Sequence, residues 1–157
     1  MASGRPGFVV DASVSAAWFL PDEATEATEA ALQATVSDEV WVPALWLLEI
    51  GNLLLSAQRR RRISAAKRSE LAVAAGALRL RVDREPVSIP ALDELTARHG
   101  LSAYDAAYLE LALRRGLPLA TLDEGLKRAA ARADVKAWSG AAGVARAPSS
   151  LPPAPPR

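Results

Sequence analysis

Four acidic residues stand apart from the other acids of this chain because apolar residues surround them. Eighteen residues are acidic, and most lie in polar stretches, whereas these four do not: Asp11, Glu49, Asp105 and Asp123. Carboxylates that converge on one point repel one another by roughly 1 to 4 kcal/mol per pair, so they stay ionised together only around a divalent cation. Oxygen-only ligands select Mg²⁺ or Mn²⁺ over zinc. The four acids therefore predict a site for one of these cations.

Each acid also has a purely structural interpretation, and for three of them it is a good one. Asp11 and Asp123 follow apolar strands and precede helices, so either could be an N-cap. Ser102 and Asp105 have the spacing of a capping box. Glu49 is different, because it lies mid-helix in an apolar segment with no lysine or arginine three or four positions away. An unpaired carboxylate is costly in such a place, so a metal ion or a buried interface is expected there.

Three polar residues lie where they could support the acids. Asn52 is three residues after Glu49 and shares its helix face. Ser13 and Thr121 each lie two residues from an aspartate of the set. Both have alternatives, since Ser13 could cap a helix and Thr121 could bond only to strand backbone.

Composition narrows the chemistry further. The chain has no cysteine, which excludes thiolate ligands, cysteine nucleophiles and disulfides, and its single histidine is His99. His99 precedes Gly100 in what reads as a helix end, so a histidine-based nuclease or zinc site is not expected. The net charge of +1 favours no class of partner. The longest apolar stretch, 41–55, is interrupted by polar residues, so we expect a cytoplasmic protein that does not enter a membrane.

The elements that must position the acids alternate between short apolar strands and longer helices. The predicted strands are Phe8–Val10, Val40–Val42, Leu117–Thr121 and Val135–Ala137, and Glu85–Ile89 is predicted to be a short extended segment. This alternation predicts an α/β fold, a three-layer α/β/α sandwich with a central, mainly parallel sheet. Ligands of such sheets bind beyond the carboxyl ends of the strands, where Asp11 and Asp123 stand.

The chain divides into three parts. Residues 1–6 form an N-terminal extension, 7–138 form the domain, and 139–157 form a proline-rich tail. A tail of this composition has almost nothing to bury, so it is expected to be disordered or polyproline-like.

In order, the four acidic segments resemble the PIN-domain ribonucleases, and in particular the VapC-like toxins of bacterial toxin–antitoxin pairs. The resemblance covers residues 7–138 and is carried by four segments: Val9–Ser13, Leu48–Asn52, Leu101–Tyr108 and Leu119–Asp123. No single segment is specific, but their order and spacing together are.

The resemblance implies a function and a set of roles. Asp11, Glu49, Asp105 and Asp123 match the family's catalytic, metal-binding acids, and Ser13, Asn52 and Thr121 match polar positions that line its site. It implies an endoribonuclease that cleaves RNA with Mg²⁺, for which Mn²⁺ can substitute, through a metal-activated water. It also implies a homodimer and inhibition by a cognate antitoxin.

Two alternatives stay open at this point: a stand-alone RNA-processing PIN nuclease, and a non-catalytic PIN-like module that binds RNA or protein. A haloacid-dehalogenase-like phosphatase is disfavoured, because it needs a second aspartate where this chain has Ser13. The run Arg59–Arg62 is either a solvated helix end or a contact for RNA or an antitoxin.

Overall fold

A four-stranded, all-parallel sheet forms the centre of the molecule. The computed structural model of the chain describes residues 5–140. The strands are β1 (Gly7–Val10), β2 (Glu39–Pro43), β3 (Leu80–Asp83) and β4 (Leu119–Ala120), in the order β3-β2-β1-β4. Helices flank this sheet, which confirms the predicted α/β fold with a parallel sheet.

The helices alternate with the strands along the chain. They are α1 (Ala12–Phe19), α2 (Glu26–Ala34), α3 (Leu45–Arg59), α4 (Ala65–Ala77), α5 (Ile89–His99), α6 (Ala103–Arg115) and α7 (Glu124–Arg132), with a short 3₁₀ turn at Pro21–Glu23. Two of the predicted helix ends are found where glycine follows: Gly100 and Gly116 adopt left-handed backbone, with φ of 65° and 62°. Glycine takes this conformation without the steric cost that a side chain would add.

β1 is a central strand with its three apolar residues fully buried. Phe8, Val9 and Val10 have no exposed surface, as expected for a strand covered on both faces. Val9 pairs with Trp41 of β2 on one side and with Leu119 of β4 on the other. The residues that directly follow β1 and β4 are therefore neighbours at the carboxyl edge of the sheet.

Two predictions about strands are wrong. Val135–Ala137 is not a full strand, since it forms only an isolated parallel bridge between Ala137 and Leu119. β3, which occupies Leu80–Asp83, is not predicted, because the sequence pattern assigns these residues to the end of a helix and to the loop after it. In β3, the alternation of Leu80 and Val82 with Arg81 covers too few residues for periodicity to distinguish a strand from the end of a helix. Asp83, which looks like a turn residue in the sequence, is buried in the structure.

The predicted proline-rich tail lies, apart from residues 139–140, outside the described residues. No helix among residues 5–140 has the length and apolar character needed to cross a membrane.

Candidate active site

Asp11 is the most deeply buried of the four acids, with 3% of its surface exposed. It follows β1 and caps α1, since its Oδ1 accepts hydrogen bonds from the backbone N–H groups of Ser13 at 2.9 Å and Val14 at 3.3 Å. The Ser13 hydroxyl donates to the same oxygen. Burial raises the pKa of the Asp11 carboxyl above its ordinary value, although these hydrogen bonds act in the opposite direction. Asp11 is thus both the predicted cap and a charged group held in a desolvated place.

Thr121 joins the ends of β1 and β4. Its hydroxyl donates to Oδ2 of Asp11 at 2.7 Å and accepts the backbone N–H of Asp123 at 3.0 Å. The Ser13 hydroxyl lies 3.5 Å from that of Thr121 and accepts the N–H of Leu122 at 2.9 Å. The two hydroxyls that were expected to support the aspartates therefore form one connected network with Asp11.

Glu49 projects from α3 and is half-buried. Its Oε2 accepts a hydrogen bond from the Tyr108 hydroxyl at 2.6 Å. Burial raises the pKa of the Glu49 carboxyl, and the negative charges of Asp11 and Asp105 raise it further. Glu49 therefore lies close enough to both aspartates to feel their charge. Its hydrogen-bond partner, Tyr108, is uncharged and lies on another helix. The sequence analysis did not include Tyr108 among the site residues.

Asp105 and Asp123 complete the group at the starts of two helices. The Asp105 backbone N–H donates to Oγ of Ser102 at 3.1 Å, so Ser102 caps α6 as expected. Asp123 caps α7 by accepting the Leu126 N–H at 2.7 Å, and it is exposed. Burial raises the pKa of the Asp105 carboxyl, and the charge of Asp123 adds to this. Asp105 thus interacts with Glu49 on one side and with Asp123 on the other.

Asn52 lies exposed on α3, one turn after Glu49. Unlike Ser13 and Thr121, it is not part of the hydroxyl network around Asp11.

The four carboxylates share a region without a balancing positive charge. The ion pairs among residues 5–140 involve other acids, and none of them includes Asp11, Glu49, Asp105 or Asp123. Within the same range, no group of three or more histidine, cysteine, aspartate or glutamate side chains is already close enough to hold a metal ion. The four acids offer only carboxylate oxygens, which are the ligands that Mg²⁺ and Mn²⁺ prefer, and no positively charged side chain in the described part of the chain pairs with them. Their side chains are nevertheless too far apart to surround a metal ion completely.

Exposed apolar side chains stand next to three of the acids in sequence. Leu48 is 74% exposed beside Glu49, Tyr104 is 66% exposed beside Asp105, and Leu122 is 40% exposed beside Asp123. We call these three residues the apolar rim. Large exposed apolar side chains are a feature of many binding surfaces.

Comparison with known proteins identifies the family. The model of the PIN domain matches residues 8–132, a range that includes all four acids. The chain belongs to the PIN-domain family. PIN domains are generally nucleases that use divalent metals and bind RNA, so the family indicates nuclease chemistry for this site.

A solved structure gives an independent view of the fold. The crystal structure of PAE2754 from Pyrobaculum aerophilum superimposes with a TM-score of 0.60 at 23% sequence identity, covering 82% of this chain and 83% of that one. At this identity the likeness bears on the fold alone. No curated protein matches the chain significantly.

Two sets of residues near the sheet were missed by the sequence interpretation. The first is Tyr108, whose position three residues after Asp105 on one helix was the available signal. The second is an ion-pair network in which Arg114 and Arg115 contact buried Asp83 at 2.6 and 2.9 Å. Nothing in the sequence links Asp83 to α6, because the contact spans about thirty residues and depends on tertiary packing.

Proposed function

We propose that this PIN-domain protein is a Mg²⁺-dependent endoribonuclease, with Mn²⁺ able to substitute, and that Asp11, Glu49, Asp105 and Asp123 are its catalytic and metal-binding residues. The observation that carries the proposal is the shared region of these four carboxylates, none of which has an ion-pair partner among the described residues. The charges of Asp11 and Asp105 help to raise the pKa of Glu49, and the charge of Asp123 helps to raise the pKa of Asp105. Such an arrangement is unfavourable for stability and is common where a cation has to be bound.

The proposed role of each residue follows from how firmly hydrogen bonds hold its carboxylate. Asp11 is fixed by the hydroxyls of Ser13 and Thr121, so it would provide the best-oriented oxygen of the set. Glu49 has one oxygen bound by Tyr108 and the other free to bind a ligand. A bound divalent cation would supply a water of lowered pKa and a clamp for the scissile phosphate. Asp123 is exposed and would face the incoming RNA, with Asp105 linking it to Glu49.

We further propose that the protein is the toxin of a toxin–antitoxin pair, that it acts in the cytoplasm, and that it forms a homodimer. The apolar rim supports a protein partner at the mouth of the site, because three exposed apolar side chains next to a substrate cleft lose their contact with water when a partner covers it. Val73 of α4, with 75% of its surface exposed, and Leu47 of α3 support a second interface on these helices.

The test of the nuclease is cleavage of a labelled RNA by the purified protein with Mg²⁺, with Mn²⁺ and with EDTA. We expect cleavage only with the cations, and a loss of at least about a hundredfold in Asp11→Asn, because a charged ligand is removed. Asparagine also accepts hydrogen bonds at an N-cap, so this variant keeps the cap of α1 and isolates the charge. Glu49→Gln should behave in the same way.

The matched control is Asp93→Asn, which removes an exposed acid on α5 and should leave the rate unchanged. Cleavage that persists in EDTA or in Asp11→Asn would contradict the proposal. RNA binding without cleavage would instead favour a non-catalytic PIN-like module. A small overlapping reading frame upstream, encoding a DNA-binding protein, would support the toxin assignment, and its absence would favour a stand-alone RNA-processing nuclease.

A further inference from the structure

Tyr108 is a fully buried tyrosine whose hydroxyl reaches a carboxylate of the proposed site. It lies in the middle of α6 with 1% of its surface exposed, and it ranks among the largest fully buried side chains of the described residues. Its hydroxyl lies 2.6 Å from Oε2 of Glu49 on α3. A hydroxyl in such a place needs a partner, and this one is bound to a carboxylate rather than to a backbone carbonyl.

We propose that Tyr108 is a positioning residue that orients Glu49 for binding of the divalent cation. This inference rests on the proposed function, since it concerns the same cation. Tyr108 would act through Glu49 and would not itself contact the metal ion or the RNA.

The position of Tyr108 on α6 gives the first argument. Asp105 lies three residues earlier on the same helix, so the two side chains share a helix face. One rigid helix thus carries a carboxylate of the site and also fixes the carboxylate of Glu49 on another helix. The distance between these two acids is therefore set by the packing of α6 and not by the rotamer preference of a free glutamate.

The flexibility of glutamate gives the second argument. Asp11 has a short side chain that four hydrogen bonds hold in place. Glu49 has an additional rotatable bond, and the Tyr108 hydroxyl is the one protein donor within hydrogen-bond distance of its carboxylate among residues 5–140. Because that hydrogen bond occupies Oε2, it leaves Oε1 as the oxygen free to face the cation. Groups that bond to metal ligands in this way typically change metal affinity about 10- to 100-fold when they are removed.

The competing interpretation is that Glu49 merely satisfies the buried hydroxyl of Tyr108. In that case Tyr108→Phe would change the stability of the fold but not the affinity for the cation. The control Thr28→Val also removes a buried hydroxyl, in α2, where the Thr28 hydroxyl bonds only to Thr25 among the described residues. It should reproduce any general effect of losing such a group.

The experiment is isothermal titration calorimetry of Mn²⁺ into the wild-type chain, Tyr108→Phe and Thr28→Val, with melting temperatures measured in EDTA. We expect Tyr108→Phe to weaken Mn²⁺ binding about tenfold or more, and Thr28→Val to change it by less than about twofold. Equal affinity of wild type and Tyr108→Phe would overturn the inference and leave the nuclease proposal standing. A wild-type chain that binds no Mn²⁺ would overturn both.

A second measurement does not depend on the folding of a variant. The chain has two tyrosines, so uniform 3-fluorotyrosine labelling gives one ¹⁹F resonance for Tyr104 and one for Tyr108. We expect the Tyr108 resonance, assigned by its absence of solvent exposure, to shift as Mg²⁺ is added until the site is saturated. A Tyr108 resonance that stays in place at saturating Mg²⁺ would overturn the inference.

Discussion

At the scale of single residues, the site depends on neutral groups as much as on charged ones. Two hydroxyls hold Asp11 and a third holds Glu49, and none of these hydroxyl groups carries a charge. A hydroxyl can orient a carboxylate without neutralising it, whereas an arginine would compete with a metal ion for the same oxygens. The arginines that form ion pairs among residues 5–140 contact other acids, which leaves these four free for a cation.

Thr121 allows this view to be tested directly. Replacing it with valine keeps the shape of the side chain but removes the hydrogen bonds to Asp11 and to the Asp123 N–H. We expect the RNA cleavage rate of Thr121→Val to fall about tenfold or more, since Asp11 loses the hydrogen bond that orients its Oδ2. Rates measured at saturating Mg²⁺ provide the test.

Thr121→Ser is the matched control, because serine keeps the hydroxyl and loses only a methyl group. It should retain most of the wild-type rate. A cleavage rate of Thr121→Val as high as that of Thr121→Ser would contradict the proposed role of the hydroxyl.

At the scale of helices and strands, the buried Asp83 ties the end of β3 to α6. Arg114 and Arg115 contact its two carboxylate oxygens, and Arg115 also stacks on the ring of Trp41 at 3.4 Å. Burial by itself would raise the pKa of the Asp83 carboxyl, but the hydrogen bonds and charges of the two arginines outweigh burial and hold the pKa below its ordinary value. The edge strand is thus held to the sheet-covering helix by charge as well as by apolar contact.

This network predicts a pH-dependent contribution to stability. A carboxyl with a lowered pKa in the folded state stabilises the fold above its unfolded pKa, and the contribution is lost as the pH falls through the folded pKa. We expect Asp83→Asn to lower the free energy of unfolding by up to about 3 kcal/mol at neutral pH, because Arg115 loses its carboxylate partner and Arg114 keeps only Glu85 and Glu110. The difference from wild type should begin to shrink below about pH 4, where Asp83 of the unfolded chain takes up a proton, and it should be lost as the pH falls through the lowered pKa of the folded state.

Urea unfolding of both proteins across this pH range measures the effect. Glu94→Gln is the control, since Glu94 and Arg98 form an exposed pair within one helix and such pairs contribute at most about 0.5 kcal/mol. A difference between Asp83→Asn and wild type that stays constant down to pH 3 would rule out the charge-based explanation.

The end of α3 gives a second test at this scale and bears on the arginine run. Arg61 has left-handed backbone, with φ of 59°, and Arg62 pairs with Asp22 and Glu23 of the 3₁₀ turn. We expect Arg61→Gly to raise the free energy of unfolding by about 0.5 to 1 kcal/mol, since glycine adopts this backbone without strain. Unfolding in urea measures the gain. RNA cleavage should be unchanged if the run is only a helix end, and reduced if Arg61 contacts RNA.

The order of apolar and polar residues along the sequence predicts those helices and strands whose apolar residues are buried at regular intervals. Phe8–Val10 is a strand because three apolar residues in a row are covered on both faces, and helix ends at Gly100 and Gly116 follow from a backbone that glycine prefers. β3 could not be predicted, because its position depends on pairing with β2 and on the contacts of Asp83 with α6, and both are tertiary. The same limit hid Tyr108: the sequence shows an apolar environment for Glu49, but not which hydroxyl enters it.

At the scale of the whole molecule, the four acids lower the stability of the folded chain, and a bound cation would reverse this effect. Burial raises the pKa of Asp11, Glu49 and Asp105, and repulsion from neighbouring carboxylates adds to it for Glu49 and Asp105. The folded chain therefore holds these charges less favourably than water does. Binding to the folded state alone stabilises a protein by RT ln(1 + [L]/Kd). The proposed cation should therefore be visible in the melting temperature, independently of any RNA.

We expect Mg²⁺ at about a hundred times its Kd to stabilise the wild-type chain by about 2.7 kcal/mol, which raises the melting temperature by roughly 5 to 10 °C for a protein of this size. In EDTA, Asp11→Asn should melt at or above the wild-type temperature, because one buried charge is gone. With Mg²⁺ it should gain much less than the wild type. Differential scanning calorimetry of the two proteins in Ca²⁺-free buffer measures both differences. Na⁺ at equal ionic strength is the control for general screening of charge. If Asp11→Asn and wild type gained equally from Mg²⁺, the cation would be acting on the protein surface in general and not at these four carboxylates.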